Sequence, residues 1–115
     1  MNDLEQRLFK FAVRTIKYLR KLPSIEEFKV IRYQLTKSSS SSGANYEEAQ
    51  AGSSKADFNN KTRISLREMR ESNYWLRLIR ELIESEDSEL TTLLKESNEL
   101  KNILGTIVQK TRTNK

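Results

Sequence analysis

Apolar residues recur at every third or fourth position along nearly the whole chain, and three short interruptions break the rhythm. Steps alternating between three and four keep side chains on one face of a helix and would scatter them across both faces of a strand. Leu4, Leu8, Phe11, Thr15, Tyr18 and Leu22 make the first such row, and Phe28, Ile31, Leu35, Ser38, Ser42, Asn45 and Ala49 the second. Phe58, Thr62, Ser65, Met69, Ser72, Leu76, Ile79 and Ile83 make a third, heptad-like row, and Leu90, Leu93, Leu94, Ser97, Leu100, Leu104, Ile107 and Val108 a fourth. The pattern predicts helices over about residues 3–21, 24–50, 54–84 and 88–110, within one domain spanning 1–115. Four amphipathic helices joined by short turns predict an all-α, antiparallel up-down-up-down four-helix bundle.

The interruptions carry their own chemistry. Pro23 stops the first helix, because proline lacks the N–H and disfavours helix in the residue before it. Ser24-Ile25-Glu26-Glu27 reads as a capping box that starts the second. Gly52 suits a left-handed C-terminal cap, and Ser53 or Ser54 can cap the third helix with Asp57 in its first turn. Ser85-Glu86-Asp87-Ser88 supplies caps for the fourth, which is expected to fray over Thr111–Lys115. The run from Ser38 to Gly43 is ambiguous by itself: its composition suits a linker, while the row of small residues continues a helical face through it.

Composition narrows the chemistry. With no Cys and no His, the chain offers no disulfide, no thiolate nucleophile, no histidine base and none of the usual zinc ligands. No clustered carboxylates suggest a metal, so the expectation is a non-enzymatic protein without cofactors. No apolar run approaches the roughly 20 residues of a membrane span. The acidic, amphipathic start Met1-Asn2-Asp3-Leu4-Glu5 does not read as a signal peptide, and a cytoplasmic location is expected. Of the 37 residues that open the chain, nine are Lys or Arg against four Asp or Glu, which accounts for the net charge of +5. Such asymmetry favours a polyanionic partner.

The stretches Ile31-Arg32-Tyr33-Gln34-Leu35-Thr36-Lys37-Ser38, Ser41-Ser42-Gly43-Ala44-Asn45-Tyr46-Glu47-Glu48-Ala49-Gln50 and Ser54-Lys55-Ala56-Asp57-Phe58 resemble the bacterial four-helix-bundle family that includes proteins encoded in intervening sequences of 23S rRNA genes. Ser65-Leu66-Arg67-Glu68 and Glu71-Ser72-Asn73-Tyr74-Trp75-Leu76 fit its third-helix pattern. The resemblance covers about residues 28–84, and it implies that the serine run is helical. It also implies a homopentameric ring and distant kinship with the accessory protein of diversity-generating retroelements, a basic pentamer thought to bind nucleic acid. Ser38, Ser41, Ala44, Asn45, Glu48, Asp57 and Phe58 carry the motif. Ser42, Thr36 and Ser39 are more polar than the family pattern, which should weaken the second helix's core.

Arg7, Lys10, Arg14, Lys17 and Lys21 step by three or four along the first helix, a row able to track the phosphates of RNA or another nucleic acid. In an oligomer, copies of that row would act together. An ordinary solvated face is the alternative. Arg63, Arg67, Arg70 and Arg77 form a second row, but Glu68, Glu71 and Glu81 interleave with them, so ion pairs within the helix or between subunits are expected there. Lys110, Arg112 and Lys115 form a short basic tail. Asn45 is expected to fix register by bonding inside the core, the alternative being a polar lining at a subunit interface, while Lys55 and Asp57 are expected to cap and charge the third helix. Trp75, Tyr74 and Tyr46 are possible stacking platforms, with Trp75 expected in core or interface. The competing function is a protein-interaction scaffold docking a polymerase or a ribosome-associated partner.

Overall fold

In a computed structural model, which describes residues 2–52 and 54–113, the chain is four α-helices and no strand among the described residues. They are α1 (Asp3–Leu19), α2 (Glu26–Ala51), α3 (Lys55–Leu82) and α4 (Ser88–Thr113). Helix α1 packs on α2 and α4, and α3 packs on α2 and α4, while among the described residues the backbones of the diagonal pairs do not approach closely. Cross-helix contacts run in opposite residue order at every interface, so neighbours are antiparallel: Ser38 meets Ser72 and Ser42 meets Ser65, and Arg7 meets Glu96 while Arg14 meets Glu89. The bundle measures 47 × 22 × 19 Å, its long dimension close to the ~40 Å expected of helices this long at 1.5 Å per residue.

The apolar rows meet in one core that includes Leu8, Phe11, Leu35, Met69, Leu76, Ile79, Leu93, Leu100 and Leu104. The serine run is helical and buried. Ser38, Ser39 and Ser42 are wholly inaccessible, as are Ser65 and Ser72 opposite them. Ser42 Oγ donates to the Ser65 carbonyl at 2.8 Å and Ser65 Oγ donates back to the Ser42 carbonyl at 2.7 Å. Ser38 and Ser72 share a hydroxyl–hydroxyl bond of 2.8 Å. Small side chains bring the two backbones within reach of each other's carbonyls, and the hydroxyls satisfy themselves there. Ser42 is therefore a matched polar contact rather than the weak point its departure from the family pattern suggested. The hydroxyls of Thr15 and Tyr18 and the Asn59 Oδ1 atom, by contrast, are buried without a hydrogen-bond partner among the described residues. Burial, with the charge of Asp87 adding to it, pushes the Tyr18 phenol up to about 12.

Several expected boundaries move. Helix α1 ends at Leu19, and its terminal carbonyls are served from α2: the Arg32 guanidinium donates to the carbonyls of Leu19, Leu22 and Pro23 at 3.2, 3.3 and 3.5 Å. The capping box at Ser24 does not form. The chain stays extended through Ile25, which occupies the N-cap without a side-chain bond, and this shift puts Glu27 at the second helical position, too early to reach back. Gly52 is not left-handed but extended, at φ −65° and ψ 150°. A Cβ there would meet only the tip of the Asp57 side chain, which can turn aside. Ser54 caps α3, accepting from the Asp57 N–H at 3.0 Å, while Ser53 lies outside the described residues. Helix α3 stops two residues early, at Leu82. Asp87 Oδ1 caps α4 by accepting from the N–H groups of Glu89 and Leu90. Helix α4 continues to Thr113 instead of fraying from Thr111; Lys115 of the basic tail lies outside the described residues.

Candidate nucleic-acid interface

The basic row on α1 is divided by the neighbour it packs against. Arg7 turns toward α4 and grips Glu96 with two nitrogens, Nε to Oε2 at 3.0 Å and Nη2 to Oε1 at 2.7 Å, with Glu99 at 3.1 Å beyond. Those bonds raise the guanidinium's pKa above its ordinary value, Glu96 contributing most. Arg14 reaches Glu89 at 3.4 Å. Lys10, Lys17 and Lys21 remain exposed and form no ion pair among the described residues. Five cations offset by the carboxylates of Glu89, Glu96 and Glu99 make a weaker field than five cations alone.

The arginines of α3 do the opposite of what their sequence neighbours suggest. Arg63, Arg67, Arg70 and Arg77 form no ion pair among the described residues. Glu71 instead accepts from the Trp75 indole N–H at 3.0 Å. Glu81 pairs, at 3.8 Å and in full view of solvent, with Arg80. Burial raises the Glu68 carboxyl above its usual range, and neighbouring Glu71 adds to the shift. Arg67 still pulls on the Glu68 carboxyl through space, but the i,i+4 spacings of Arg67 with Glu71 and of Arg77 with Glu81 give no ion pair among the described residues.

Across from these arginines stands the flank of α4 that has no acid. The central hollow between α3 and α4, about 950 Å³, is walled by Arg70 and Arg77 on one side and by Lys101 and Lys110 on the other. It continues toward Arg80 and Lys95 in one direction and toward Arg63, Arg67 and Arg112 in the other. Among the described residues that is five cations from α3 and four from α4, with no Asp or Glu lining any of the three adjoining hollows. From Arg63 to Arg80 the groove runs about 25 Å, taking 1.5 Å per residue. Its walls and floor add amides: Asn73, Asn98, Asn102 and Gln109. Past Arg80 the sign changes abruptly, to Glu84, Glu86 and Asp87 at the α3–α4 turn. Gly105 opens the floor, with nothing within 4 Å of where a Cβ would lie.

Two residues hold the groove's geometry. Asn73 is buried; its Nδ2 donates across the interface to Ser97 Oγ at 2.9 Å, and its Oδ1 accepts from Arg77 Nε at 3.0 Å. This asparagine, and not Asn45, bonds across helices. Asn45 is half-buried and bonds within α2, to the carbonyl and hydroxyl of Ser41. Arg77 in turn lies 5.7 Å from the centre of the Tyr74 ring.

The remaining motif residues separate into core and surface. Ser38 is buried in the serine seam; Ala44 and Glu48 face outward. Asp57 stands in the first turn of α3, and Phe58 is only half-buried, so it is not the core residue its place in the third row suggested. Phe58 lines a small apolar hollow of about 330 Å³ with Ile107. Of the three aromatic candidates, Tyr46 is buried, Trp75 is half-buried and Tyr74 is exposed. Lys95, Lys101, Asn98, Asn102 and Gly105 went unnoticed in the sequence. A signal existed: on a helical projection Glu89, Glu96 and Glu99 fall on one flank of α4 and Lys101, Gly105 and Arg112 on the other.

Among the described residues no helix is long and apolar enough to cross a membrane, and no three acidic side chains come together as a metal site would require. The class so defined is an all-α four-helix bundle with a groove lined by cations from α3 and α4. The chain belongs to the 23S rRNA-intervening sequence protein family, whose model matches residues 2–106. Its fold is similar to a crystal structure of a protein with unknown function from the S23 ribosomal protein family of Bacteroides thetaiotaomicron. The two share 30% identity and a TM-score of 0.81, over 91% of this chain and 97% of that one. No curated protein matches the chain.

Proposed function

We propose that this protein is a non-enzymatic, cytoplasmic RNA-binding bundle whose α3–α4 groove holds the phosphate backbone. The observation that carries this reading is the groove lined by cations from both helices and, among the described residues, by no carboxylate. Like charges facing each other across a packed interface lower stability slightly, and a bound polyanion relieves that repulsion. The family's description refers to 23S rRNA, which makes RNA the polyanion to try first. Lys10, Lys17 and Lys21 of α1 serve as outlying contacts. A homopentameric ring would present the groove several times and raise the avidity of weak single contacts. The α1–α2 side of the bundle, opposite the groove and with Phe9, Val13 and Tyr33 exposed, supports association with another protein, a further copy of this chain before any other. It is also the observation that favours the scaffold reading.

The test is an anisotropy titration against an rRNA stem-loop at two salt concentrations, with duplex DNA as control. Wild type is compared with Arg70→Glu/Arg77→Glu/Lys101→Glu and with Lys10→Glu/Lys17→Glu/Lys21→Glu. Binding that weakens steeply with salt, by a log–log slope of roughly 0.7 to 0.9 per phosphate neutralised, and that is lost in the groove variant supports the proposal. No binding by wild type at low salt would sink it and leave the scaffold reading in front.

A further inference from the structure

Resting on that reading, we propose that the groove takes an unpaired RNA strand rather than a duplex, and that Tyr74 stacks on one of its bases. Tyr74 is half exposed and follows Arg70 by four residues and precedes Arg77 by three, so the three side chains share one face of α3. A row of cation, aromatic and cation suits a strand whose phosphates and bases are both accessible, because every base has a π-face and stacking requires no fixed sequence.

The ring is held in place from two sides. Trp75 meets it edge-on, with centroids 5.2 Å apart and planes at 77°, and is itself tied to Glu71 through its indole N–H. Arg77 lies toward the ring's face and is fixed through Asn73 to Ser97 of α4. The chain Ser97–Asn73–Arg77–Tyr74–Trp75–Glu71 thus runs from the groove wall to the aromatic platform, and little side-chain freedom remains to be lost on binding.

Shape points the same way. Packed helix axes lie about 8–10 Å apart, so the groove between them admits a strand but not a double helix, which could only lie across its rim. A duplex also hides the base faces and presents its bases in grooves that side chains read poorly. The amides of Asn98, Asn102 and Gln109 both donate and accept, and they match the edges of unpaired bases. The open floor at Gly105 leaves room for a base or sugar between Arg77 and Lys101.

The experiment titrates full-length protein with a labelled unstructured RNA and with a fully paired RNA of equal length, following anisotropy and the emission of Trp75, the chain's single tryptophan. The expected result is preference for the unpaired strand, with Trp75 emission changing on binding. Tyr74→Ala should weaken the unpaired strand about tenfold, the equivalent of ~1.4 kcal/mol of the 1–3 expected for one stacked base. Its salt slope should be unchanged, since no phosphate contact is lost, and Tyr74→Phe should bind like wild type. Equal or tighter binding of the paired RNA, or a Tyr74→Ala protein indistinguishable from wild type, overturns the inference. If Arg70→Glu/Arg77→Glu/Lys101→Glu still abolishes RNA binding in that case, the groove stands as a phosphate site and only the unpaired-strand assignment falls. If wild type binds neither RNA, both readings fall together.

Discussion

Helix α4 carries charges on two flanks, and its neighbours answer them in opposite ways. Toward α1 it presents Glu89, Glu96 and Glu99, and the arginines of α1 close onto them at 2.7 to 3.4 Å. Toward α3 it presents Lys95, Lys101 and Arg112, and α3 answers with more cations. One interface uses its charge internally, in ion pairs between antiparallel helices; the other gathers cations from both of its helices. Net charge along the sequence therefore misleads about where the field lies. The N-terminal third holds the excess, yet part of it is cancelled by carboxylates of α4, and the uncancelled field collects where α3 and α4 meet.

The largest effect expected from breaking this contrast is on affinity. Arg70→Glu/Arg77→Glu/Lys101→Glu should cost RNA binding well over tenfold, which is more than about 1.4 kcal/mol, in the anisotropy titration. Its melting temperature should fall modestly, because Arg77→Glu takes away the guanidinium from which buried Asn73 Oδ1 accepts, even though the facing charges become mixed in sign. Lys10→Glu/Lys17→Glu/Lys21→Glu should cost much less affinity.

Asn73→Ala comes next, since it removes the buried link between Ser97 and Arg77. Urea unfolding should show a loss of about 1–3 kcal/mol, the usual cost of breaking a buried hydrogen-bonded contact, together with weaker RNA binding as Arg77 loses its anchor. Gly105→Ala should separate the two quantities. With open space beside it, alanine should add about 0.8–1.0 kcal/mol of helix stability, while a side chain on the groove floor lowers affinity. A gain in both would mean that the ligand does not approach that floor.

On the opposite flank, Arg7→Ala should cost at most about 1 kcal/mol, because the pair is partly exposed and screened, and the loss should shrink in high salt. RNA affinity should hardly change. The smallest effect concerns Glu68, whose carboxyl is raised by burial and by Glu71, against the opposing pull of Arg67 and Lys37. A raised carboxyl means that the folded state holds its proton more tightly than the unfolded state, so stability falls as pH climbs through the carboxylate range. Glu68→Gln should therefore raise the melting temperature at neutral pH, with the gain fading below that range.

The architecture was legible because its signal is local. The three-and-four spacing survives even through Ser38–Gly43, where composition suggested a linker, because serines on a buried face can bond to the carbonyls opposite. Terminal details were harder. Ser24 and Gly52 are ordinary cap residues in sequence, but the backbone is extended at Ile25 and at Gly52, so neither caps as expected. Asn45 lies in the second row and Asn73 outside the third, yet it is Asn73 that meets a partner across helices, Ser97 of α4.

By itself, the sequence determined four helical rows of apolar and small residues, most of the face each helix buries, and that two rows of cations lie on the outside. Each of those facts follows from residues within a turn or two of one another. Which cations are neutralised was decided by the tertiary structure alone, because Arg7 and Glu96 are 89 residues apart and Arg70 and Lys101 belong to different helices. Coulombic interaction depends on distance in space, and no local pattern carries that distance until the helices have packed.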